Sequence, residues 1–172
     1  LYRRFFEAVA PWCPSLALDG LGWGDAETIE LCGALPSFVR LTSLNLASNK
    51  IGVESARAVA AFCAASGSLT KCKLRKNELG VEGWTIIFNA LRDSPTSNIT
   101  TWDLSQERLG PEIAKPLAEY ISVTGSLTSL NLSWNNLRPE GAAALAAGLA
   151  ANASLTKILV SENELRDEGT TI

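Results

Sequence analysis

Residues 41–52 read LTSLNLASNKIG, and the same phrase returns along the chain. It recurs as LTKCKLRKNELG from Leu69, ITTWDLSQERLG from Ile99, LTSLNLSWNNLR from Leu127 and LTKILVSENELR from Leu155. The steps between starts are 28, 30, 28 and 28 residues. The shared pattern is L-x-x-L-x-L-x-x-N-x-L. A degenerate copy, CPSLALDGLGWG, begins at Cys13, again 28 residues before Leu41. Self-similarity at a fixed period is the signature of a stacked-repeat architecture.

The spacing dictates the structure of one unit. In Leu44-Asn45-Leu46 the leucines point to one face of a strand and Asn45 to the other. The next apolar position, Ile51, requires the chain to turn inward just after the strand. Asn49, Asn77, Asn135 and Asn163 stand at that bend, where an amide can pair with backbone groups left open. Stacked units then form a ladder of amides. Glu107 interrupts it, keeping an acceptor but losing the donor, which predicts a local irregularity or a bound water. The second half of each unit has helical spacing, as in Ala56-Val59-Ala60-Cys63 and Ala142-Leu145-Ala146-Leu149. Gly52, Gly80 and Gly110 supply the turn before it. Glu54, Glu82, Glu112, Glu140 and Glu168 recur near the helix start, where negative charge complements the helix dipole. Pro116 predicts a late start or a kink near Lys115 in the fourth copy.

This pattern resembles the leucine-rich repeat family. The repeat length and the amphipathic second half resemble its ribonuclease-inhibitor type, as in ribonuclease inhibitor, NOD-like receptor arrays and Ran GTPase-activating protein. The resemblance implies an α/β leucine-rich repeat solenoid, a curved horseshoe segment. Its parallel β-sheet lies on the concave face and its α-helices on the convex face. The expected organisation is one domain over 1–172. A preceding or capping helix covers 1–12, with Phe6 and Val9 facing inward. Repeats follow at 13–40, 41–68, 69–98, 99–126 and 127–154, with an incomplete one at 155–172. Six strands about 4.8 Å apart make a sheet roughly 24 Å across. No unit buries its apolar face alone, and an open end needs a cover. With no methionine in the sequence, this predicts a longer chain or a larger complex.

Composition narrows the function. Histidine is absent, which removes Ser-His-Asp and Cys-His pairs and His-ligated zinc. No phosphate loop is present: Gly20-Leu-Gly22-Trp-Gly24 lacks both the spacing and a following Lys-Ser/Thr. The repeated carboxylates share one environment, unlike an acid/base pair. The net charge of −3 argues against nucleic acid. No apolar run is long enough for a membrane span, and no signal peptide is legible at the start. Cys13, Cys32, Cys63 and Cys72 form no C-x-x-C pair. They read as small buried apolar side chains in a reducing compartment, or as a disulfide pair in a secreted protein. The sequons at Asn98, Asn131 and Asn152 would suit the second reading. No cofactor and no enzymatic activity are expected.

The residues between the strand leucines project into the concave face. The rows are Ser15, Ala17 and Asp19; Ser43, Asn45 and Ala47; Lys71, Lys73 and Arg75; Thr101, Asp103 and Ser105; Ser129, Asn131 and Ser133; and Lys157, Leu159 and Ser161. The next position adds Lys76, Gln106, Trp134 and Glu162. Lys71, Lys73, Arg75 and Lys76 make a basic stripe, with Asp103 beside Lys73 on the next strand and Trp134 two rows away. The stripe reads either as a solvated charged row or as a site for an acidic segment of a protein partner. The partner-binding candidates are therefore Lys71, Lys73, Arg75, Lys76, Asp103, Gln106, Asn131 and Trp134. Trp102, Trp23 and Trp84 fall on apolar positions and are expected in the core. The expected role is a non-catalytic, cytoplasmic protein-interaction scaffold. The alternatives are an architectural subunit of a cytoskeletal or axonemal assembly, a GTPase-activating regulator, and a receptor's sensing array. The last would need a nucleotide-binding domain upstream.

Overall fold

Each copy of the phrase becomes a short strand followed, after a bend, by a helix. The computed structural model describes residues 10–165. The strands are β1 (Ser15–Ala17), β2 (Ser43–Asn45), β3 (Lys71–Lys73), β4 (Thr101–Asp103), β5 (Ser129–Asn131) and β6 (Lys157–Leu159). The helices between them are α1 (Asp25–Ala34), α2 (Val53–Ala65), α3 (Gly80–Arg92), α4 (Ala114–Val123) and α5 (Arg138–Ala151). The strands form one sheet in chain order, every pair parallel. This is the solenoid topology that the period requires. Of the expected leading helix, Ala10–Trp12 is a single 3-10 turn with Ala10 buried; Phe6 and Val9 lie outside the described residues, as does Glu168.

The core lies between sheet and helices. Leu16, Leu44, Cys72, Trp102 and Leu130 fill the central strand position and Leu46, Leu74, Leu104 and Leu132 the next. In the sixth copy Ile158 and Val160 are half-buried, because no described helix lies over them. Trp84 and Trp102 are fully buried, and Trp23 is half-buried against the same core. All four cysteines are free thiols. Burial pushes Cys32 up to about 12, with Cys63 nearby adding to it. Cys63 is raised by a hydrogen bond with Cys72 and by burial. Both groups stay as protonated, apolar filling.

Three ladders stitch the units together. Asn49, Asn77, Asn135 and Asn163 each donate through Nδ2 to the carbonyl of their own strand end and to the matching carbonyl of the preceding unit. Their Oδ1 atoms accept from Trp23, Ile51, Leu109 and Leu137 N–H, each 26 residues back. A second ladder is threonine: the hydroxyls of Thr42, Thr70, Thr100, Thr128 and Thr156 each donate to a carbonyl 28 or 30 residues earlier. Serines just before the strands make the third, from Ser68, Ser126 and Ser154 to the carbonyls of Leu41, Ile99 and Leu127. The sequon asparagines are spent in the same way. Asn98 donates to Gly67 O, Asn131 to Asp103, and Asn152 to the carbonyls of Ile121 and Thr124.

Helix ends are served across units. Asp25, at the start of α1, accepts from the backbone N–H of Gly52 and Ser55 and from the Ser55 hydroxyl. A Cβ at Gly52 would lie 2.9 Å from Oδ2 of that aspartate, so only glycine lets the carboxylate approach. Burial works to raise the Asp25 pKa, but the bonds from Ser55 and Gly52 prevail and hold it below the usual carboxylate value. Between α4 and α5 the spacing is set by Gly148: a Cβ there would stand 2.8 Å from Cα of Ala118. Pro116 is the third residue of α4, where an α-helix has no partner for its N–H. The turn before it, Pro111–Ile113, is 3-10, so the fourth helix does start late.

Candidate functional site

The strand period delivers one side of the sheet to solvent. Lys71 and Lys73 flank buried Cys72 on β3, and both are exposed. Beyond each strand the bend includes a residue with positive φ at one repeat position: Ser48 at 57°, Lys76 at 59°, Gln106 at 63°, Trp134 at 60° and Glu162 at 56°. Gly20, at 69°, holds the same place in the first unit. Their backbone N–H groups reach the next unit: Gly20 to Ala47 O, Ser48 to Arg75 O, Gln106 to Ser133 O and Trp134 to Ser161 O. These bonds offset the strain that L-residues carry in this conformation. The result is an exposed row of side chains along one edge of the sheet face: Ser48, Lys76, Gln106, Trp134 and Glu162.

The candidate residues therefore share one face, but their pairing differs from the expectation. Asp103 takes Arg75 as its cation, with Nη1 4.0 Å from Oδ2. Arg75 is half-buried, and also donates to Ser105 O at 3.2 Å and to Gln106 Oε1 at 2.8 Å. Asp103 accepts from Asn131 Nδ2 at 3.1 Å, and Asn131 in turn accepts from Ser133 N–H at 3.0 Å. Arg75, Asp103, Gln106 and Asn131 thus form one internally satisfied network. Lys71, Lys73 and Lys76 form no ion pair among the described residues, and Trp134 is 58% exposed. Two expected face positions, Ser105 and Ser133, are buried instead: the chain is already bending inward there, and Ser133 Oγ accepts from Ser161 Oγ.

Between the third and fourth units the regular pattern fails. The β3–β4 ladder has one residue pair, Lys71 with Thr101, where the other strand pairs have three. Glu107 stands at the amide position and serves differently. Its Oε1 accepts from Lys76 N–H at 2.7 Å and its Oε2 from Trp84 Nε1 at 3.4 Å. The expected irregularity is present, and its cause is the missing donor. On the helix side the same junction is filled by aromatics. Trp84 and Phe88 from α3 meet Trp102 of β4 at centroid distances of 5.6 and 6.0 Å, and Phe88 stacks on Tyr120 of α4 at 5.6 Å. The two-residue insertion lies here too. Its loop, 93–98, returns to the second unit through Ser94 and Thr96, which both donate to Ala64 O.

Burial raises the Glu107 pKa above its ordinary 4.5, although bonds from Lys76 and Trp84 and the nearby Arg75 charge oppose it. A carboxyl raised in the folded state binds more protons there than when unfolded, so stability falls as pH rises through this window. Glu107→Gln has no such group. Whatever its offset from the native chain at low pH, the variant gains on it as pH rises from the ordinary carboxylate value to the raised one. Melting temperatures of both proteins over that pH range check this; parallel profiles contradict it.

The family model described as "Leucine Rich repeat" matches residues 41–60 and 126–146, two stretches that each begin at or beside the first leucine of a repeat and run through its strand into a helix. With six parallel strands alternating with helices, this settles the architecture. The fold is a leucine-rich repeat solenoid. No curated protein matches the sequence. Among solved structures, "Leiomodin-1 Actin-Binding Site 2 (ABS2)" is similar, with a TM-score of 0.66 and 15% identity, over 86% of this chain and 87% of that one. At that identity the likeness concerns the leucine-rich repeat fold alone. Among the described residues no cluster of acidic and cysteine side chains is suited to hold a metal, and no helix is long and apolar enough to cross a membrane.

Proposed function

We propose that this solenoid is a non-catalytic protein-interaction module that presents its sheet face to a protein partner. The observation that carries this reading is the contrast within that face. Arg75, Asp103, Gln106 and Asn131 satisfy one another, while Lys71, Lys73, Lys76 and Trp134 stand open beside them. An exposed tryptophan beside a rigid, arginine-held polar platform carries residue types enriched in binding hot spots, with the open lysines as a charged rim. Shape supports it as well: short parallel strands held by three ladders make a surface that loses little freedom on binding.

Ser129→Arg tests the reading by placing bulk on the face while leaving the lysines and Trp134 in place. Ser129 lies on β5, the fifth of the six strands, half-buried on the same face and making no side-chain hydrogen bond. Affinity capture from the native source, read by mass spectrometry, is expected to lose its partner with Ser129→Arg. Capture is expected to persist with Arg57→Glu, on the exposed side of α2. Retention by both variants would move the interface elsewhere.

A second reading, an architectural role at the cytoskeleton, has one observation in its favour. The similar solved structure is, by its title, an actin-binding site. Co-sedimentation with actin filaments tests it directly, and an unchanged supernatant fraction would remove it.

A further inference from the structure

We propose that the sheet face takes an acidic segment of a protein partner, with its carboxylates among Lys71, Lys73 and Lys76 and an apolar side chain against Trp134. This rests on the interaction-module reading and names that partner's chemistry. The argument is one of unbalanced charge. Lys71 and Lys73 leave β3 on the same exposed face, and the residues in register with them on the neighbouring strands are Ser43, Asn45 and Thr101, all neutral. Lys76 follows at the bend, between Ser48 and Gln106 of the edge row. The carboxylates on this part of the face are already engaged. Asp103 takes Arg75, Asn131 and the N–H of Ser105, and Asp19 takes Asn45. Glu107 takes the backbone N–H of Lys76 and the indole N–H of Trp84. Among the described residues no carboxylate pairs with any of the three ammonium groups.

Charge complementarity selects the occupant. Ammonium groups gathered in one unit repel one another, and ligand carboxylates offset that repulsion where a neutral segment does not. The net charge of −3 opposes an acidic ligand only from a distance. Salt at 0.1 M screens exposed charges beyond about 10 Å, so the local cluster decides. Trp134 adds an apolar surface on the same face. Between it and β3 lies the network of Arg75, Asp103, Gln106 and Asn131, which is satisfied within itself and asks no counter-charge of the ligand. A nucleic-acid backbone fits worse, because it needs cations along its path. The face and edge positions of the fourth and fifth units hold none, and Asp19 and Glu162 stand exposed on the first and last units.

The test uses the full chain and a fluorescein-labelled peptide, Glu-Glu-Glu-Gly-Ser-Gly-Leu-Leu, read by anisotropy. Its glycines leave the conformation open, and a second peptide carries Gln in place of each Glu. The Glu peptide is expected to bind about tenfold tighter than the Gln peptide, and to weaken as salt is raised. Lys71→Glu with Lys73→Glu is expected to weaken it about tenfold, and Trp134→Ala about fivefold. Arg57→Glu with Lys115→Glu, exposed on α2 and α4, shifts the net charge by the same amount and is expected to leave affinity unchanged. The milder Lys71→Gln with Lys73→Gln should weaken binding less than the reversal, and far-UV circular dichroism should show every variant folded, since these side chains are exposed. Equal affinity for the Glu and Gln peptides overturns the proposal, as does a reversal on the face that costs no more than the reversal on the helices. So does a single-stranded oligonucleotide that binds more tightly than the Glu peptide. If neither peptide binds while Ser129→Arg still abolishes partner capture, this proposal fails and the interaction-module reading stands; if capture also persists, both fail.

Discussion

Asn135→Ala is expected to destabilise the chain by about 3–5 kcal/mol, a drop of about 6–20 °C in melting temperature. The asparagine is 9% exposed. Its amide donates to Leu104 O at 2.8 Å and Leu132 O at 2.9 Å, and accepts from Leu109 N–H at 3.0 Å. Alanine leaves Leu104 O and Leu109 N–H without a partner where water does not reach, while Leu132 O keeps its bond from Asn163. An abandoned buried donor or acceptor costs about 1–3 kcal/mol. The comparison that makes the prediction sharp lies one unit earlier. Glu107 occupies the same repeat position, yet it donates to no carbonyl, and the Lys76 N–H it accepts belongs to an exposed residue. Glu107→Ala leaves one buried donor, the long-bonded Trp84 Nε1, without a partner, and is therefore expected to cost about 1–2 kcal/mol, less than Asn135→Ala. Thermal unfolding of both variants, followed by far-UV circular dichroism, checks this. Equal losses at the two positions would mean that the amide ladder is not what holds neighbouring units in register.

That comparison also separates what was legible in the sequence from what was not. Strand phase was legible because alternation decides the face: Cys72 went in, and Lys71 and Lys73 went out. The amide ladder was legible because one residue type performs the job at one repeat position. The threonine ladder carries a signal of the same kind, a threonine directly after the first aliphatic residue in five copies, which reading by apolar period passed over. The period placed Lys76, Gln106, Trp134 and Glu162 together at the next position, but the left-handed backbone of that edge row carried no such signal. Ser48, Lys76, Gln106, Trp134 and Glu162 share a left-handed backbone but no side-chain chemistry, and neighbouring carbonyls stabilise that conformation. Only Gly20 hinted at it. The choice of Arg75 over Lys73 as partner of Asp103 was also out of reach. Phase places side chains on a face, but rotamers and the Gln106 contact decide which cation closes on the carboxylate.

Trp84→Ala is expected to do more than lower stability by about 3–5 kcal/mol, the usual cost of deleting a buried large aromatic. In a solenoid each unit touches only its neighbours, so cooperativity depends on the weakest junction. Here that junction lies between the third and fourth units. Its strand ladder is a single pair, and its amide rung is missing. The sheet side keeps the Thr100 rung and the Arg75 and Lys76 bonds but lacks the regular ladder, so a larger share of the coupling falls to the helix side. There Trp84 stacks on Phe88 and meets the edge of Trp102, while Arg92 reaches Glu119 at 2.7 Å on the surface. An ion pair at that exposure adds little. Removing the Trp84 ring opens the junction on its helix side, and the two halves of the array are expected to unfold separately. Tryptophan fluorescence and far-UV circular dichroism should then give transitions that no longer coincide, whereas they coincide for the native chain. Leu46→Ala, a buried deletion inside the N-terminal half, should lower stability while leaving one transition. A single coincident transition in Trp84→Ala would show that the aromatic cluster is not what joins the halves.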